Sequence, residues 1–272
     1  MDQFTQFQHR GWQRVAERYE AAWSGLTRLF IPHLLNSVKP INGKKLLDVA
    51  CGPGYVAEAA LSMGAKPVGV DFSEEMVRLA KARNPAIEFQ EGDAQALRDA
   101  DSSFDVLVMN FGVLHLSKPE LAFSEAARVL RPAGRLGFTV WARPEHSPGA
   151  KLVESAILAF ANTEVSLPPG PDYFGYGDPD ECRQILKQAG FDPESVIFNT
   201  VVENWQVPTA NFVFEAERDA GVRTAALLAA QGEDTLANIR DQIAASIQAF
   251  ANDNGFALPY AAHVISASKP RG

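Results

Sequence analysis

The chain has 272 residues, of which 46% are hydrophobic and 21% charged, so its composition is that of a globular protein with a sizeable core. A net charge of −8 disfavours nucleic acid as a partner, because phosphate binding requires clustered cations. Two cysteines are too few for a disulfide framework or a closed zinc site, and no metal is expected. With no signal-peptide pattern and no apolar run of about eighteen residues, we expect a cytoplasmic protein without a membrane span.

Residues 1–38 are rich in aromatic side chains and predict one or two helices, which we interpret as an amino-terminal cap or arm. Residues 44–142 then alternate between short apolar runs and helical segments. This alternation is typical of a parallel sheet built with right-handed crossovers. The predicted strands are 45–50, 67–70, 87–90, 104–110 and 135–141. The predicted helices between them are 55–63, 74–83, a short 94–99 and 119–130.

The pattern becomes more irregular after residue 142. Helices are predicted at 151–162 and 180–189, on either side of a Pro/Gly-rich loop, and helical segments around 212–230 and 235–251. Two further strands are predicted at 195–206 and 257–267. The fold prediction is therefore an α/β, Rossmann-like, doubly wound sheet of seven mostly parallel strands, with helices on both faces and a helical cap. Residues 39–272 would form the main domain, with cap insertions at about 142–178 and 208–255.

The strongest local signal is the segment LLDVACGPG at 46–54, where an apolar strand leads through a tight turn into a helix. Gly52 and Gly54 permit positive φ and let the backbone approach a ligand closely. Asp71 ends the second strand, where a carboxylate can accept hydrogen bonds from both hydroxyls of a ribose. The segment therefore predicts a cofactor that carries a ribose.

The glycine pattern alone does not distinguish S-adenosylmethionine from NAD, because residues 52–57 also satisfy G-x-G-x-x-A. Asp48, just before the turn, favours a ligand with cationic sulfonium and ammonium groups. The segments GDA at 92–94 and FDVLVMN at 104–110 support the same choice. An NAD-dependent oxidoreductase is kept as an alternative.

Five motifs together resemble the class I S-adenosylmethionine-dependent methyltransferases, most closely the group that contains the ubiquinone and menaquinone C-methyltransferases. They are LLDVACGPG, GVDFS, EGDAQAL, SFDVLVMNFGVLHL and EAARVLRPAGRLGFTVWA, and they cover roughly residues 40–142 in the order of the family. The resemblance implies S-adenosylmethionine as the cofactor. It also implies that Asp48, Ala50, Gly52 and Gly54 surround the methionyl part and that Asp71 binds the ribose hydroxyls. Many members of the family have glycine at the position of Ala50.

For the rest of the cofactor, the resemblance implies that Phe72 flanks the adenine and that Asp93 accepts a hydrogen bond from its exocyclic amine. The backbone N–H of Ala94 would bind the same ring. Asn110 and Phe111 would lie near the sulfonium and its methyl group.

Methyl transfer requires mainly positioning, so a dedicated base is optional. His115 is the candidate catalytic base, although packing at the start of the next helix would equally explain it. Tyr19 resembles a tyrosine that closes over the cofactor from an amino-terminal helix in related enzymes, and core packing is its alternative. Four other side chains are candidates for lining an acceptor pocket or for simple loop packing: His146, Tyr173, Phe174 and Tyr176.

The first functional hypothesis is a methyltransferase that moves the methyl group of S-adenosylmethionine to a small-molecule acceptor and releases S-adenosylhomocysteine. The alternative is a protein of the same fold that binds the cofactor without methylating, as a regulatory module or as a non-methylating enzyme such as a cyclase. Neither hypothesis includes nucleic acid as a partner. The acceptor and the assembly state, with a homodimer as one option, stay open.

Overall fold

A mixed sheet runs through the computed structural model, which describes residues 1–271. Its strands are β1 (Lys45–Val49), β2 (Lys66–Asp71), β3 (Glu88–Glu91), β4 (Phe104–Asn110), β5 (Leu130–Trp141), β6 (Ile197–Val207), β7 (Ala251–Asn252) and β8 (Gly255–Ser268). Neighbouring strands follow the order β3-β2-β1-β4-β5-β8-β6, and β7 pairs with β8 off this path. The seven predicted strands are confirmed, and β7 adds a pair of residues that the sequence did not indicate.

The direction of the strands also follows the prediction. The pairs β3–β2, β2–β1, β1–β4 and β4–β5 are parallel, whereas β8 runs antiparallel to both β5 and β6. The strand order reverses between β1 and β4. Ligands of open α/β sheets bind at such a switch point, beyond the carboxyl ends of the strands.

Helices pack around this sheet and beyond its carboxyl edge. They are α1 (Gln3–Ala22), α2 (Ser24–Thr27), α3 (Ile31–Ser37), α4 (Tyr55–Ser62), α5 (Glu74–Arg83), α6 (Pro119–Val129), α7 (Pro148–Phe160), α8 (Pro179–Gln188), α9 (Phe212–Ala220), α10 (Arg223–Ala229) and α11 (Glu233–Ser246). None of the helices within residues 1–271 has the combination of length and apolarity that crossing a membrane requires.

The alternation of side chains along the parallel strands builds a core on each face of the sheet. Leu46 and Val108 belong to an apolar cluster with α3 and α4. Their neighbours Leu47 and Leu107 point the other way and join a cluster with Phe123 of α6. Both faces are therefore covered by helices, as expected for parallel strands whose sequences are almost continuously apolar.

The short helix predicted at 94–99 is not formed, and that prediction was wrong. The Arg128 guanidinium donates to the carbonyl oxygens of Leu97 and Asp99 at 3.0 and 2.7 Å, and the Leu97 N–H donates to the Glu125 carboxylate at 2.8 Å. Side chains of α6 thus satisfy backbone groups that a helix would have paired internally. These long-range partners cannot be read from the local sequence.

Helix α1 joins the sheet domain to the helices beyond its edge. Asp2 caps it by accepting from the Thr5 N–H at 2.8 Å, and the amide oxygen of Gln13 accepts from the Ser73 hydroxyl at 2.6 Å, at the start of α5. On another side, a Cβ at Gly11 would lie 2.5 Å from Val222, so glycine there permits close contact with the α9–α10 connection. The predicted arm is helical and bridges two parts of the protein. The predicted division at residues 38 and 39, and the predicted cap insertions, stay predictions.

Candidate active site

A cavity of about 510 Å³ opens beyond the carboxyl ends of the parallel strands. Residues at or just after the ends of β1, β2, β3, β4 and β5 line it. One face of α1 covers it together with parts of α7, α9 and α10. Its volume is within the range of small-molecule binding sites. Most predicted site residues line this cavity: Tyr19, Ala50, Gly52, Asp71, Phe72, Asp93, Ala94, Asn110, Phe111 and His115.

The turn after β1 brings its backbone to the cavity in a conformation that glycine favours. Ala50, Gly52 and Gly54 all have positive φ, at 53°, 52° and 84°. A Cβ at Gly52 would meet no atom within 4 Å, so the space above this residue is open to a ligand. Ala50 adopts the left-handed conformation with a side chain, which costs on the order of 1 kcal/mol relative to glycine. Gly54 does not line the cavity, and its predicted contact with the methionyl part stays a prediction.

Gly54→Ala is expected to destabilise the protein by about 2–4 kcal/mol. The substitution combines a left-handed φ of 84° with a Cβ that would lie 2.7 Å from the Phe89 ring. Gly43→Ala is the matched control, because its φ is 73° but nothing lies within 4 Å of its Cβ position. Urea denaturation of both variants measures the effect. Equal losses of unfolding free energy would show that the contact with Phe89 is unimportant.

Asp71 lies at the end of β2 with its carboxylate buried. One oxygen accepts from the Gly52 N–H at 2.8 Å and the other from the Ser73 N–H at 2.9 Å. Burial raises the pKa of this carboxyl to about 6, and the two backbone hydrogen bonds limit the rise. The carboxylate is therefore fixed in orientation and ionised at neutral pH, and each oxygen keeps a lone pair for a further donor.

The residues predicted for the adenine lie together on the next part of the wall. Phe72 contacts His9 of α1 edge-on, with ring centroids 5.5 Å apart. Asp93 is exposed and accepts from the backbone and side chain of Gln95, at 2.9 and 3.2 Å. Ala94 follows it in the lining. The three residues thus lie along one part of the cavity wall, and their contacts with adenine stay a prediction.

A chain of hydrogen bonds connects the end of β4 to the arm. The Phe111 N–H donates to the Thr139 hydroxyl at 2.9 Å, which in turn donates to the amide oxygen of Asn110 at 2.7 Å. The Asn110 amide donates to the Thr27 carbonyl at 3.2 Å, and the Tyr19 and Thr27 hydroxyls lie 3.0 Å apart. Burial raises the pKa of Tyr19 to about 12. The predicted residues of β4 and α1 are thereby held in one network.

Asp48 is brought under the turn rather than to the cavity. Its side chain is fully buried, one oxygen accepts from the Ala57 N–H of α4 at 3.1 Å, and the other oxygen has no partner within residues 1–271. Burial raises the pKa of this carboxyl to about 8. At neutral pH the group is therefore mostly uncharged. The ligand contact predicted for Asp48 stays a prediction, and this geometry gives the residue a structural role as well.

His115 lines the cavity in the turn after β4, with its ring 4.7 Å from that of Trp12 in an edge-to-face contact. Burial lowers the pKa of the imidazole to about 4, so the ring is neutral at physiological pH. A neutral ring can accept a proton, but a group with such a low pKa is a weak base near pH 7. Its predicted catalytic role stays a prediction.

The acceptor candidates of the Pro/Gly loop separate in the structure. Tyr173 and Phe174 line the cavity, with ring centroids 5.2 Å apart. Tyr176 is buried in the core, where its ring contacts those of Phe123 and Phe138, because the loop turns inward after residue 174. Tyr176 does not line the cavity, in agreement with the packing alternative, and His146 is exposed and outside the lining as well.

Several lining residues were not predicted from the sequence. Trp141 stacks on Phe111 with ring centroids 3.8 Å apart and contacts Tyr260 at 6.0 Å. Gln8 is fully buried on α1 beside the cavity. Glu217 belongs to α9, far from every motif. Trp141 ends a recognised strand and could have been found from that position, whereas Gln8 and Glu217 carry no sequence signal.

These residues fit S-adenosylmethionine on observations of the structure itself. The oriented Asp71 carboxylate has free lone pairs. The space over Gly52 is open, so a ligand can contact the protein backbone there. The side-chain amide of Gln8 is buried, and neither its nitrogen nor its oxygen forms a hydrogen bond among residues 1–271. This part of the cavity wall therefore carries polar groups without partners. A polar ligand with a ribose would supply partners for groups of this kind.

Comparison with known proteins finds methyltransferases. A family model described as a methyltransferase domain matches residues 47–138. A demethylmenaquinone methyltransferase of Renibacterium salmoninarum is 32% identical over 180 residues, which are 63% of this chain and 76% of that protein. A ubiquinone biosynthesis O-methyltransferase of Rhizobium etli is 29% identical over 195 residues, covering 68% of this chain and 77% of that protein.

The fold is also found among solved structures. The crystal structure of the [4+2]-cyclase SpnF superposes with a TM-score of 0.58 over 98% of this chain and 97% of that one, at 19% sequence identity. At that identity the similarity shows the fold alone. The family model and the curated relatives, with this fold, show that the chain belongs to the class I S-adenosylmethionine-dependent methyltransferases and is related to the quinone methyltransferases.

Proposed function

We propose that the protein transfers a methyl group from S-adenosylmethionine to a small, largely apolar aromatic acceptor. The observation that supports this most strongly is the position of the oriented Asp71 carboxylate in the same cavity as the stacked Phe111 and Trp141 rings. One end of the cavity suits a ribose and the other suits a flat apolar molecule. The relatives named above act on quinone precursors, which are molecules of that kind.

When bound, S-adenosylmethionine supplies an electrophilic methyl group, so the protein contributes mainly position and the exclusion of water. Asp71 would hold the ribose hydroxyls, and the turn at Ala50 and Gly52 would lie against the methionyl part. Phe72, Asp93 and Ala94 would bind the adenine. The Asn110 and Thr139 hydrogen bonds fix the end of β4 where the methyl group would meet its acceptor.

Helix α1 covers the cavity from outside. Thr5, Gln8, Trp12 and Tyr19 lie on one face of this helix and all line the cavity. An arm in this position would limit the access of water to the site. Tyr19 is therefore placed to act as a closing residue.

The proposal is tested by calorimetric titration with S-adenosylmethionine and S-adenosylhomocysteine, followed by incubation with hydroxylated aromatic acceptors. We expect micromolar cofactor binding, about −8 kcal/mol, and acceptor-dependent formation of S-adenosylhomocysteine detected by mass spectrometry. If the cofactor binds but no acceptor leads to formation of S-adenosylhomocysteine, the result would favour a protein that binds the cofactor without methylating. Binding of neither compound would contradict the proposal.

A further inference from the structure

The most unusual group in the cavity is the carboxylate of Glu217, on the side chain that α9 contributes to the wall. One of its oxygens would lie 3.4 Å from a Cβ at Gly221, so the side chain folds back along the end of α9. None of the Lys, Arg or His nitrogens within residues 1–271 forms an ion pair with it. The side chain is half-buried, and a carboxylate that is partly removed from water without a cation is costly, which makes Glu217 a candidate for binding a ligand or moving a proton.

The surroundings of Glu217 are aromatic apart from the Thr224 hydroxyl, which also lines the cavity and limits the rise in the pKa of this carboxyl. Burial is the main cause of the raised pKa of Tyr173 and Tyr260, and the nearby charge of Glu217 raises both further. Tyr260 also contacts Trp141. Trp141 in turn stacks on Phe111 at the end of β4. Glu217 and the end of β4, where the proposed methyl group would lie, thus border the same aromatic chamber, which is formed by Tyr173, Tyr260, Trp141 and Phe111.

We propose that Glu217 recognises the acceptor through a ring hydroxyl and takes the proton of that hydroxyl during methyl transfer. This inference rests on the proposed function and adds the chemical class of the acceptor, a hydroxylated aromatic ring. The aromatic walls would hold the ring, and the Glu217 carboxylate would accept a hydrogen bond from its hydroxyl.

A hydroxyl fits this arrangement better than an ammonium group. A carboxylate paired with an ammonium ion keeps the proton on nitrogen, where no lone pair is available to attack a methyl group. A hydroxyl that donates to a carboxylate gains electron density on the atom that reacts. Burial also raises the pKa of Glu217 to about 7, which is suited to a base at neutral pH, whereas the pKa of His115 is lowered to about 4.

The step moves one proton and one methyl group. The O–H bond of the acceptor breaks, its proton goes to the Glu217 carboxylate, and its electron pair stays on the acceptor. That pair attacks the methyl carbon while the pair of the breaking carbon–sulfur bond goes to sulfur. One negative carboxylate and one positive sulfonium are consumed, so the products are neutral at both positions.

Binding measurements test this without turnover. We would titrate 2-naphthol and its methyl ether, 2-methoxynaphthalene, into the wild type, Glu217→Gln and Glu215→Gln by calorimetry, with S-adenosylhomocysteine present. Glu215 is an exposed glutamate on the same helix and serves as the matched control. The wild type and Glu215→Gln are expected to prefer the naphthol by at least about 10-fold, or about 1.4 kcal/mol. In Glu217→Gln the preference should fall to about 2-fold or less.

The pH dependence gives a second readout. The naphthol stays un-ionised up to about pH 9 because phenols ionise near pH 10. Glu217 is ionised above about pH 7, so the wild-type preference should rise between pH 6 and 8, and this rise should be absent from Glu217→Gln. Other charged or titratable side chains of the cavity are Tyr19, Asp71, Asp93, His115, Glu154, Tyr173, Arg223 and Tyr260, and all are unchanged in both variants.

Each outcome is decisive. A preference for the naphthol that survives in Glu217→Gln, an absent preference in the wild type, or failure of both probes to bind overturns the inference. Tighter, Glu217-dependent binding of naphthylmethylammonium would overturn it in favour of an amine acceptor. Titration of S-adenosylhomocysteine alone on the same samples tests the proposed function separately, and urea denaturation shows whether the variants are folded.

Discussion

Replacement of Asp71 by alanine is expected to weaken the binding of S-adenosylmethionine and S-adenosylhomocysteine by at least about 100-fold. A carboxylate that accepts from both hydroxyls of a ribose makes two charge-assisted hydrogen bonds, each worth about 1.5–3 kcal/mol. Asp71 is also the acceptor for the Gly52 N–H, so its loss loosens the turn against which the methionyl part would lie. Calorimetric titration of the wild type and the variant measures both affinities.

Asp253→Ala is the control for this experiment, because Asp253 is exposed in the turn between β7 and β8, far along the chain from the turn that holds Asp71. Its cofactor affinities should equal those of the wild type. Burial raises the pKa of Asp71 to about 6, so wild-type affinity should also fall as the pH is lowered through 6, when the carboxylate gains a proton. Retention of micromolar affinity in Asp71→Ala would contradict the assignment of this carboxylate to the ribose.

The second large effect concerns stability. The pKa of Asp48 is about 8 in the folded protein and near 3.9 in an unfolded chain. Between about pH 4 and 8 the folded state therefore carries a proton on Asp48 that the unfolded state has lost. The contribution of this group to the free energy of unfolding is complete below about pH 4 and is lost as the pH rises through about 8. At about 1.4 kcal/mol per unit of pKa, the change is on the order of several kcal/mol.

Asp48→Asn should reduce this dependence on pH. An amide oxygen can still accept from the Ala57 N–H, and the group no longer ionises. Urea denaturation of the ligand-free wild type and variant between pH 4 and 8.5 measures how the free energy of unfolding of each protein changes with pH. Asp71 and Glu217 also have raised pKa values, so part of the pH dependence of the free energy of unfolding remains in the variant, chiefly below pH 7. An unchanged slope between pH 7 and 8.5 would show that Asp48 is ionised in the folded state.

The sequence predicted the sheet well because its local signals agree with its long-range structure. Strand β4 was predicted with its observed limits, since its apolar run is bounded by charged and polar residues. Helix α5 was also predicted with its observed limits, because Ser73 caps it and acidic residues fill its first turn. Segment 94–99 failed for the opposite reason, as its backbone is satisfied by Arg128 and Glu125 of a distant helix.

The candidate site divides in the same way. The cofactor side comes from turns that follow strands, so motif and position together predict residues such as Asp71 and Asn110. The acceptor side comes from α7, α9 and α10, which have no motif. Glu217 is one of several acidic residues on α9, and its burial depends on packing that the sequence does not display.

The position of α1 between two parts of the protein has a further consequence for how the cavity forms during folding. The cavity lies where the first 22 residues of the chain meet residues 212–229, so its walls come from opposite ends of the sequence. Contacts of such large sequence separation form late in folding, because the loop between them has to be closed first. Neither a fragment that stops before α9 nor one that begins after α1 contains the full set of walls. Ligand binding therefore reports on whether α1 and the α9–α10 region are both folded against the sheet.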